Sequence, residues 1–203
     1  MGILGGAFNP LHIGHLVCAQ EATFQLELDT VEVIPTARPP HRQLEQDPGA
    51  EARLEMCELA VDGDDRFSVS RIELDREGPS YTVDTLRQLH EMRPDDEFFV
   101  LLGGDQAERL PTWREPEAVL ELATLCAFER VGYSRNAIVV KLARLKGAER
   151  LRFLDMPLMQ VSSSSLRHRV AQGRPIRYLV PDAVARYISE HGLYEAPAPV
   201  GSG

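Results

Sequence analysis

The sequence predicts an α/β fold, with one mainly parallel sheet, flanking helices and a helical C-terminal segment. Three observations carry this expectation. Short apolar runs alternate with amphipathic stretches along most of the chain, as successive βαβ units require. At 203 residues the chain is long enough for one sizeable core. Its 43% hydrophobic and 26% charged residues are ordinary for a globular protein.

Strands are expected near 1–5, 30–35, 66–73, 97–103, 124–129 and 151–154. Helices are expected near 14–27, 49–62, 81–92, 116–122, 136–145, 164–172 and 181–190. The first strand, Gly2-Ile3-Leu4-Gly5, leads through a glycine turn into the first helix. Residues 37–48 hold three prolines and several charges, and read as a loop. Ser80 and Thr82 suit the N-cap of the third helix. The run Phe98-Phe99-Val100-Leu101-Leu102 reads as a strand buried on both faces. After Pro181, Val184, Tyr187 and Ile188 recur at helical spacing and predict one packed face. Residues 1–195 form the expected domain, while 196–203 lack core-forming residues and are expected to be disordered. There is no internal repeat and no low-complexity block.

The formal net charge of −9 argues against a general nucleic-acid binder, which carries a basic face or stripe. A phosphate ligand remains compatible, because a small site needs only a few well-placed donors. Cys18, Cys57 and Cys126 lie far apart without metal-type spacing, and read as reduced core residues of a cytoplasmic protein. The N-terminus shows no signal-peptide pattern. No apolar stretch approaches the roughly 18 residues of a membrane span.

The most informative segment is Gly5-Gly6-Ala7-Phe8-Asn9-Pro10-Leu11-His12-Ile13-Gly14-His15, at a strand-to-helix junction. Gly5 and Gly6 would let backbone N–H groups approach a phosphate, and the helix N-terminus adds its positive end. His12 and His15 are three apart, so a helical or turn-like backbone puts both imidazoles on one side. There they could donate to non-bridging phosphate oxygens and stabilise developing charge. The bland alternative is a glycine turn followed by two surface or capping histidines. A metal site of His12, His15 and Cys18 would lack a fourth ligand nearby.

A second loop-to-helix junction holds Val161-Ser162-Ser163-Ser164-Ser165-Leu166-Arg167. The serines can cap the helix or offer hydroxyls, and the planar fork of Arg167 suits phosphate oxygens. A serine cap with solvated arginines is the competing account. In a parallel sheet, loops far apart in the chain meet at the carboxyl edge, so both junctions can serve one ligand.

The first segment resembles the GxFxPxHxGH signature of the adenylyltransferase superfamily, whose members share a Rossmann-like, doubly wound fold. The resemblance implies that Gly5, Gly6 and Phe8 belong to the phosphate loop and that His12 and His15 contact the ATP phosphates. The second is similar to that superfamily's ISSTxxR segment, with Val161 for Ile and Ser164 for Thr. It implies that Ser162, Ser163, Ser164 and Arg167 close over the same phosphates.

Further segments resemble bacterial nicotinate-nucleotide adenylyltransferases. Ile34-Pro35-Thr36-Ala37-Arg38-Pro39-Pro40-His41-Arg42 is similar to their IPxxxPPHK stretch, with Arg42 for Lys. Gly78-Pro79-Ser80-Tyr81-Thr82-Val83-Asp84-Thr85-Leu86 is similar to GPSYTxDTL. Gly103-Gly104-Asp105, Leu110 and Trp113 are similar to GxDxxxxLxxW. The C-terminal Tyr178 to Pro181, Tyr187-Ile188 and Leu193-Tyr194 also fit. The resemblance implies phosphate contacts for His41 and Arg42, and a nicotinate carboxylate received at Thr82 on the helix dipole. It implies that Trp113 stacks on a pyridine ring, where a lone tryptophan otherwise reads as core. Asp105 could bond backbone or ribose. Arg130 could shape the acceptor pocket, although Arg130-Val131-Gly132 stands where the family shows Arg-Pro-Gly.

The expected reaction is in-line attack by the phosphate of nicotinate mononucleotide on the α-phosphorus of ATP, with Mg²⁺ arriving on the nucleotide and no protein metal cage. Three rivals stand beside it. A relative could use phosphopantetheine or nicotinamide mononucleotide; the segment at 78–86 and Trp113 speak against this. A nucleotide-sensing module would need no intact histidine pair. A dehydrogenase or flavoprotein would carry Gly-x-Gly-x-x-Gly after the first strand, which is absent. Oligomeric state is not written in the sequence.

Overall fold

The computed structural model describes residues 1–40, 43–128 and 133–196. Each apolar run forms a strand: β1 (Gly2–Gly6), β2 (Val31–Pro35), β3 (Phe67–Val69), β4 (Phe99–Gly103), β5 (Thr124–Phe128) and β6 (Arg152–Leu154). Between and after them lie α1 (Ile13–Gln25), α2 (Ala50–Val61), α3 (Thr82–Met92), α4 (Gly104–Ala107), α5 (Pro116–Leu122), α6 (Arg135–Leu142), α7 (Ser163–Ala171) and α8 (Asp182–Glu190). The strands join in one six-stranded sheet of order β3-β2-β1-β4-β5-β6. Every pairing among the described residues is parallel. That is the doubly wound order, in which the chain leaves β1 toward one edge and β4 toward the other.

Period-two alternation along the strands builds the two faces. Ile3, Val100, Leu102, Leu125 and Ala127 join Val83, Leu86 and Leu89 of α3 and Val119 and Leu120 of α5 in one apolar layer. Leu4, Val31, Val33, Leu101, Cys126 and Phe128 point the other way, onto Cys18, Ala19 and Ala22 of α1 and Cys57 and Val61 of α2. β4 is therefore covered on both faces, as its unbroken apolar run predicts. A third cluster packs α7 and α8 against the outer side of α2, through Met56, Leu166, Val184, Tyr187 and Ile188. The helical C-terminal segment thus reaches the body of the fold through α2 and through the loop that leads into α1.

Two differences from the sequence-based elements have simple causes. β3 ends at Val69 instead of near 73, because it is an edge strand whose continuation breaks into a turn closed by Asp75 N–H on the Arg71 carbonyl at 2.9 Å. The short α4 and the 3-10 turn at Leu110–Thr112 were not expected, since neither is long enough to show a helical period.

The site follows from topology. Chain reversal at β1 and β4 leaves a crevice beyond their carboxyl ends, where such sheets bind ligands. β1 pairs with β4 at Gly2↔Phe99 and Ile3↔Val100, while β1–β2 and β4–β5 stay in register to Gly6↔Pro35 and Gly103↔Phe128. The glycine loop after β1 and the Gly103-Gly104-Asp105 segment after β4 lie on the two lips of that crevice.

Candidate active site

The glycine loop is held by its own sequence. Gly5 is exposed, and a Cβ added there would meet nothing within 4 Å, so the fold itself does not require glycine at that position. Phe8 is buried and its φ of 46° lies in the left-handed region. The Asn9–Pro10 peptide is cis. His12 then serves as the extended N-cap of α1 (φ −144°). Its backbone N–H donates to His15 Nδ1 at 3.2 Å. A neutral His15 whose Nδ1 accepts that hydrogen bond carries its own hydrogen on Nε2, as a donor. The two imidazoles stack at 3.7 Å between centroids, and Phe8 meets His15 edge-on at 5.1 Å. The expected placement of both rings on one side of the helix start is therefore realised.

The second junction docks on the first. Ser162 caps α7, its Oγ accepting from Ser165 N–H at 3.2 Å, so the serine-cap account holds for this residue. The neighbours have other partners. Ser163 Oγ donates to the Pro10 carbonyl at 2.9 Å, and Arg167 Nη1 to the Asn9 carbonyl at 3.0 Å. Arg167 Nη2 reaches Ser164 Oγ and Glu45 Oε2, each at 3.4 Å, while its buried Nε has no hydrogen-bond partner among the described residues. Gly14 leaves no room between the two segments: a Cβ there would lie 3.0 Å from Val161 Cγ1 and 3.1 Å from His12 Nδ1. Arg167 is thus buried against the histidine loop, where the bland account had it solvated.

On the other lip, Asp105 is the second residue of α4, just past β4, and Gln106 Nε2 donates to its Oδ2 at 3.2 Å. Trp113 follows the 3-10 turn, half-buried against the apolar layer that includes Val83 and Leu110. Thr82 is the first residue of α3, but the N-cap is Tyr81 and no side chain caps it. Ser80 instead pairs with Arg38, donating its N–H to the Arg38 carbonyl at 2.9 Å and accepting Arg38 N–H at 3.3 Å. The N-cap reading of Ser80 and Thr82 is therefore corrected; Ser80 ties this helix start to the loop after β2. Arg114 lies over the Tyr81 ring at 4.9 Å and pairs with Asp84 at 3.3 Å, linking the Trp113 loop to the same helix start. Burial raises the Glu73 carboxyl behind α3 above the usual carboxylate range, while Thr85 Oγ1 donates to it at 2.8 Å. His41, Arg42 and Arg130, and the tail beyond Ala196, lie outside the described residues.

Sequence reasoning missed several residues that organise this site. Arg53 of α2 is fully buried and bonds the loops after both β1 and β2. Tyr194 OH donates to Asn9 Oδ1 at 2.7 Å, while Asn9 Nδ2 donates to the Glu45 carbonyl at 2.9 Å. Burial pushes the Tyr194 hydroxyl well above its ordinary pKa, so it remains a donor. One signal was available: Arg53 stands three and four residues before Met56 and Cys57, on the apolar stripe of α2.

No helix among the described residues is long and apolar enough to cross a membrane. Residues 3–169 match the cytidylyltransferase-like family model. The chain is 45% identical to the probable nicotinate-nucleotide adenylyltransferase of Thermus thermophilus, over 96% of this chain and 98% of that protein. It is 44% identical to a protein of the same name from Geobacillus thermodenitrificans, over 97% of this chain and 86% of that one. Among solved structures, it shares the fold of the Plasmodium falciparum nicotinic acid mononucleotide adenylyltransferase complexed with NaAD. The TM-score is 0.78 at 18% identity, covering 95% of this chain and 96% of that one. The same Plasmodium enzyme complexed with APC gives 0.76 at 17% identity, with equal coverage. The paired histidines, the serine–arginine segment docked on them and these full-length relatives agree: the chain belongs to the nicotinate-nucleotide adenylyltransferase family, within the cytidylyltransferase-like proteins.

Proposed function

We propose that the protein transfers AMP from ATP to nicotinate mononucleotide, giving nicotinate adenine dinucleotide and pyrophosphate, with the crevice between β1 and β4 as its active site. An oxygen of the acceptor phosphate attacks the α-phosphorus in line. The new P–O bond forms as the bond to the β-phosphate bridging oxygen breaks, and pyrophosphate leaves with that electron pair. The acceptor phosphate is already an ionised nucleophile, so catalysis consists of positioning and charge stabilisation.

The observation that carries this reading is the seating of Arg167 and Ser163 on the histidine loop, at 3.0 and 2.9 Å. In this proposal Gly5, Gly6 and Phe8 admit the triphosphate. His12 and the Nε2–H of His15 donate to its oxygens, and Arg167, with the Ser164 hydroxyl beside it, faces the same charge. Ser162 and Ser163 hold the α7 start in place. His41 and Arg42 are assigned to the phosphate side, and Arg130 to the acceptor pocket, on the family pattern. On the other lip, the α3 start at Thr82 lacks a side-chain cap, which supports receipt of the nicotinate carboxylate by its backbone amides. Trp113 lies against the pyridine ring and Asp105 on the ribose side.

No group of three or more His, Cys, Asp or Glu suited to a metal is present among the described residues. In this proposal Mg²⁺ enters with the substrate as Mg–ATP and offsets phosphate charge. The test is product identity: ATP, Mg²⁺ and nicotinate mononucleotide should yield the dinucleotide and pyrophosphate in equal amounts. ATP binding without turnover would favour the nucleotide-sensing reading.

A further inference from the structure

Arg53 lies on α2, outside every phosphate motif, with its side chain 0% exposed. Nη1 donates to the Ala7 carbonyl at 2.8 Å and to the Thr36 carbonyl at 2.7 Å. Nη2 donates to the Ala37 carbonyl at 3.3 Å, and Nε to Asp47 Oδ1 at 2.9 Å. One planar guanidinium thus grips the chain just past β1 and just past β2, at the carboxyl edge of the sheet.

The consequence is geometric. In a planar trans peptide, the carbonyl and the following N–H point in opposite directions. Drawing the Ala7 carbonyl onto Arg53 turns the Phe8 N–H away from it, and drawing the Thr36 carbonyl inward does the same for the Ala37 N–H. Phe8 holds φ 46°, a conformation that persists in a non-glycine residue only where its surroundings over-determine it. Arg53 fixes the carbonyl before Phe8, and Arg167 fixes that of Asn9 after it. The charge is matched by Asp47, whose side chain is 32% exposed.

We infer that Arg53 is a positioning residue for the transfer reaction. It touches no substrate, and holds the Phe8 turn and the Thr36–Ala37 turn as one rigid surface facing the triphosphate. This rests on the adenylyl-transfer reading above. Lysine keeps the charge but offers a single ammonium, which cannot span three carbonyls and a carboxylate in fixed directions.

The experiment uses the full chain with Arg53→Lys, Asp47→Asn and, as a buried control beside Gly2 at the amino edge of the sheet, Leu28→Ala. Melting is measured first, and kinetics are read well below each variant's transition. Mg–ATP affinity, by calorimetry, reads the loop geometry independently of turnover. Arg53→Lys is expected to lose about 100-fold in kcat/KM for ATP and to weaken Mg–ATP binding, with a smaller change in the KM for nicotinate mononucleotide. Asp47→Asn should move the same constants less, and Leu28→Ala should lower melting alone. Wild-type kinetics and affinity in folded Arg53→Lys would overturn the inference and leave a structural residue. If Arg53→Lys does not fold, Asp47→Asn decides: changed ATP constants at a near-normal melting temperature support it, and unchanged ones overturn it. A wild-type protein that binds Mg–ATP but transfers nothing would instead sink the adenylyl-transfer reading, while the affinity comparison still judges Arg53.

Discussion

Ser163 Oγ donates to the Pro10 carbonyl at 2.9 Å across 153 positions of chain. With the Arg167–Asn9 bond beside it, this makes one surface from two loops, each of which alone reads as an ordinary capped helix start. The geometry of either loop is then a property of the pair, and substitutions in one should be felt by the other.

His15→Ala should lower kcat by about 10²–10³-fold, the range for loss of a donor aimed at transition-state charge. The backbone N–H of His12 loses its partner at 3.2 Å, one hydrogen bond worth about 1 kcal/mol, so melting should fall by no more than a few degrees. Steady-state rates and circular dichroism on one preparation check this; near-normal turnover would remove His15 from the site.

The two glycines should behave oppositely. Gly5→Ala puts a methyl where nothing lies within 4 Å, so stability should be unchanged or higher by up to about 1 kcal/mol, while transfer falls. Gly14→Ala places its methyl 3.0 Å from Val161 and 3.1 Å from His12, and should cost about 1–3 kcal/mol by overpacking as well as activity. Urea unfolding beside rate measurements distinguishes them, and a fully active Gly5→Ala would contradict the phosphate loop.

Trp113→Ala should raise KM for nicotinate mononucleotide about 10-fold, the upper end for one aromatic contact, with little change in KM for ATP. Its half-buried ring also packs on the core, so melting should drop as well. A drop in melting with unchanged KM would leave tryptophan a core residue only.

Glu73 gives a pH test with a definite sign. Its folded-state pKa is raised by burial, so the folded protein holds a proton that the unfolded chain has released, and stability falls as pH rises from the unfolded carboxyl pKa toward the folded one. Glu73→Gln removes that dependence. The variant should match the wild type in acid and gain relative stability above about pH 4. Urea titrations at several pH values check it, and a pH-independent difference would contradict the assignment.

The fold was legible because its elements carry strong periods. The apolar run of β4 predicted a strand covered on both faces, and Val184, Tyr187 and Ile188 predicted the packed side of α8. β3 was overread because sequence does not mark where an edge strand loses its partner. At the candidate site, motif spacing picked out His12, His15 and Arg167, which the fold brings to adjoining loops. Arg53, Tyr194 and the Arg38–Ser80 pairing were not legible: their roles depend on which distant carbonyl or amide the fold brings to them.

The central claim is tested most directly by pyrophosphate release from Mg–ATP with nicotinate mononucleotide, nicotinamide mononucleotide and phosphopantetheine offered separately. The account predicts strong preference for the first, with the acid-form dinucleotide as product. Preference for either of the others would contradict the Thr82–Trp113 acceptor pocket, and silence with all three would contradict the transfer reaction itself.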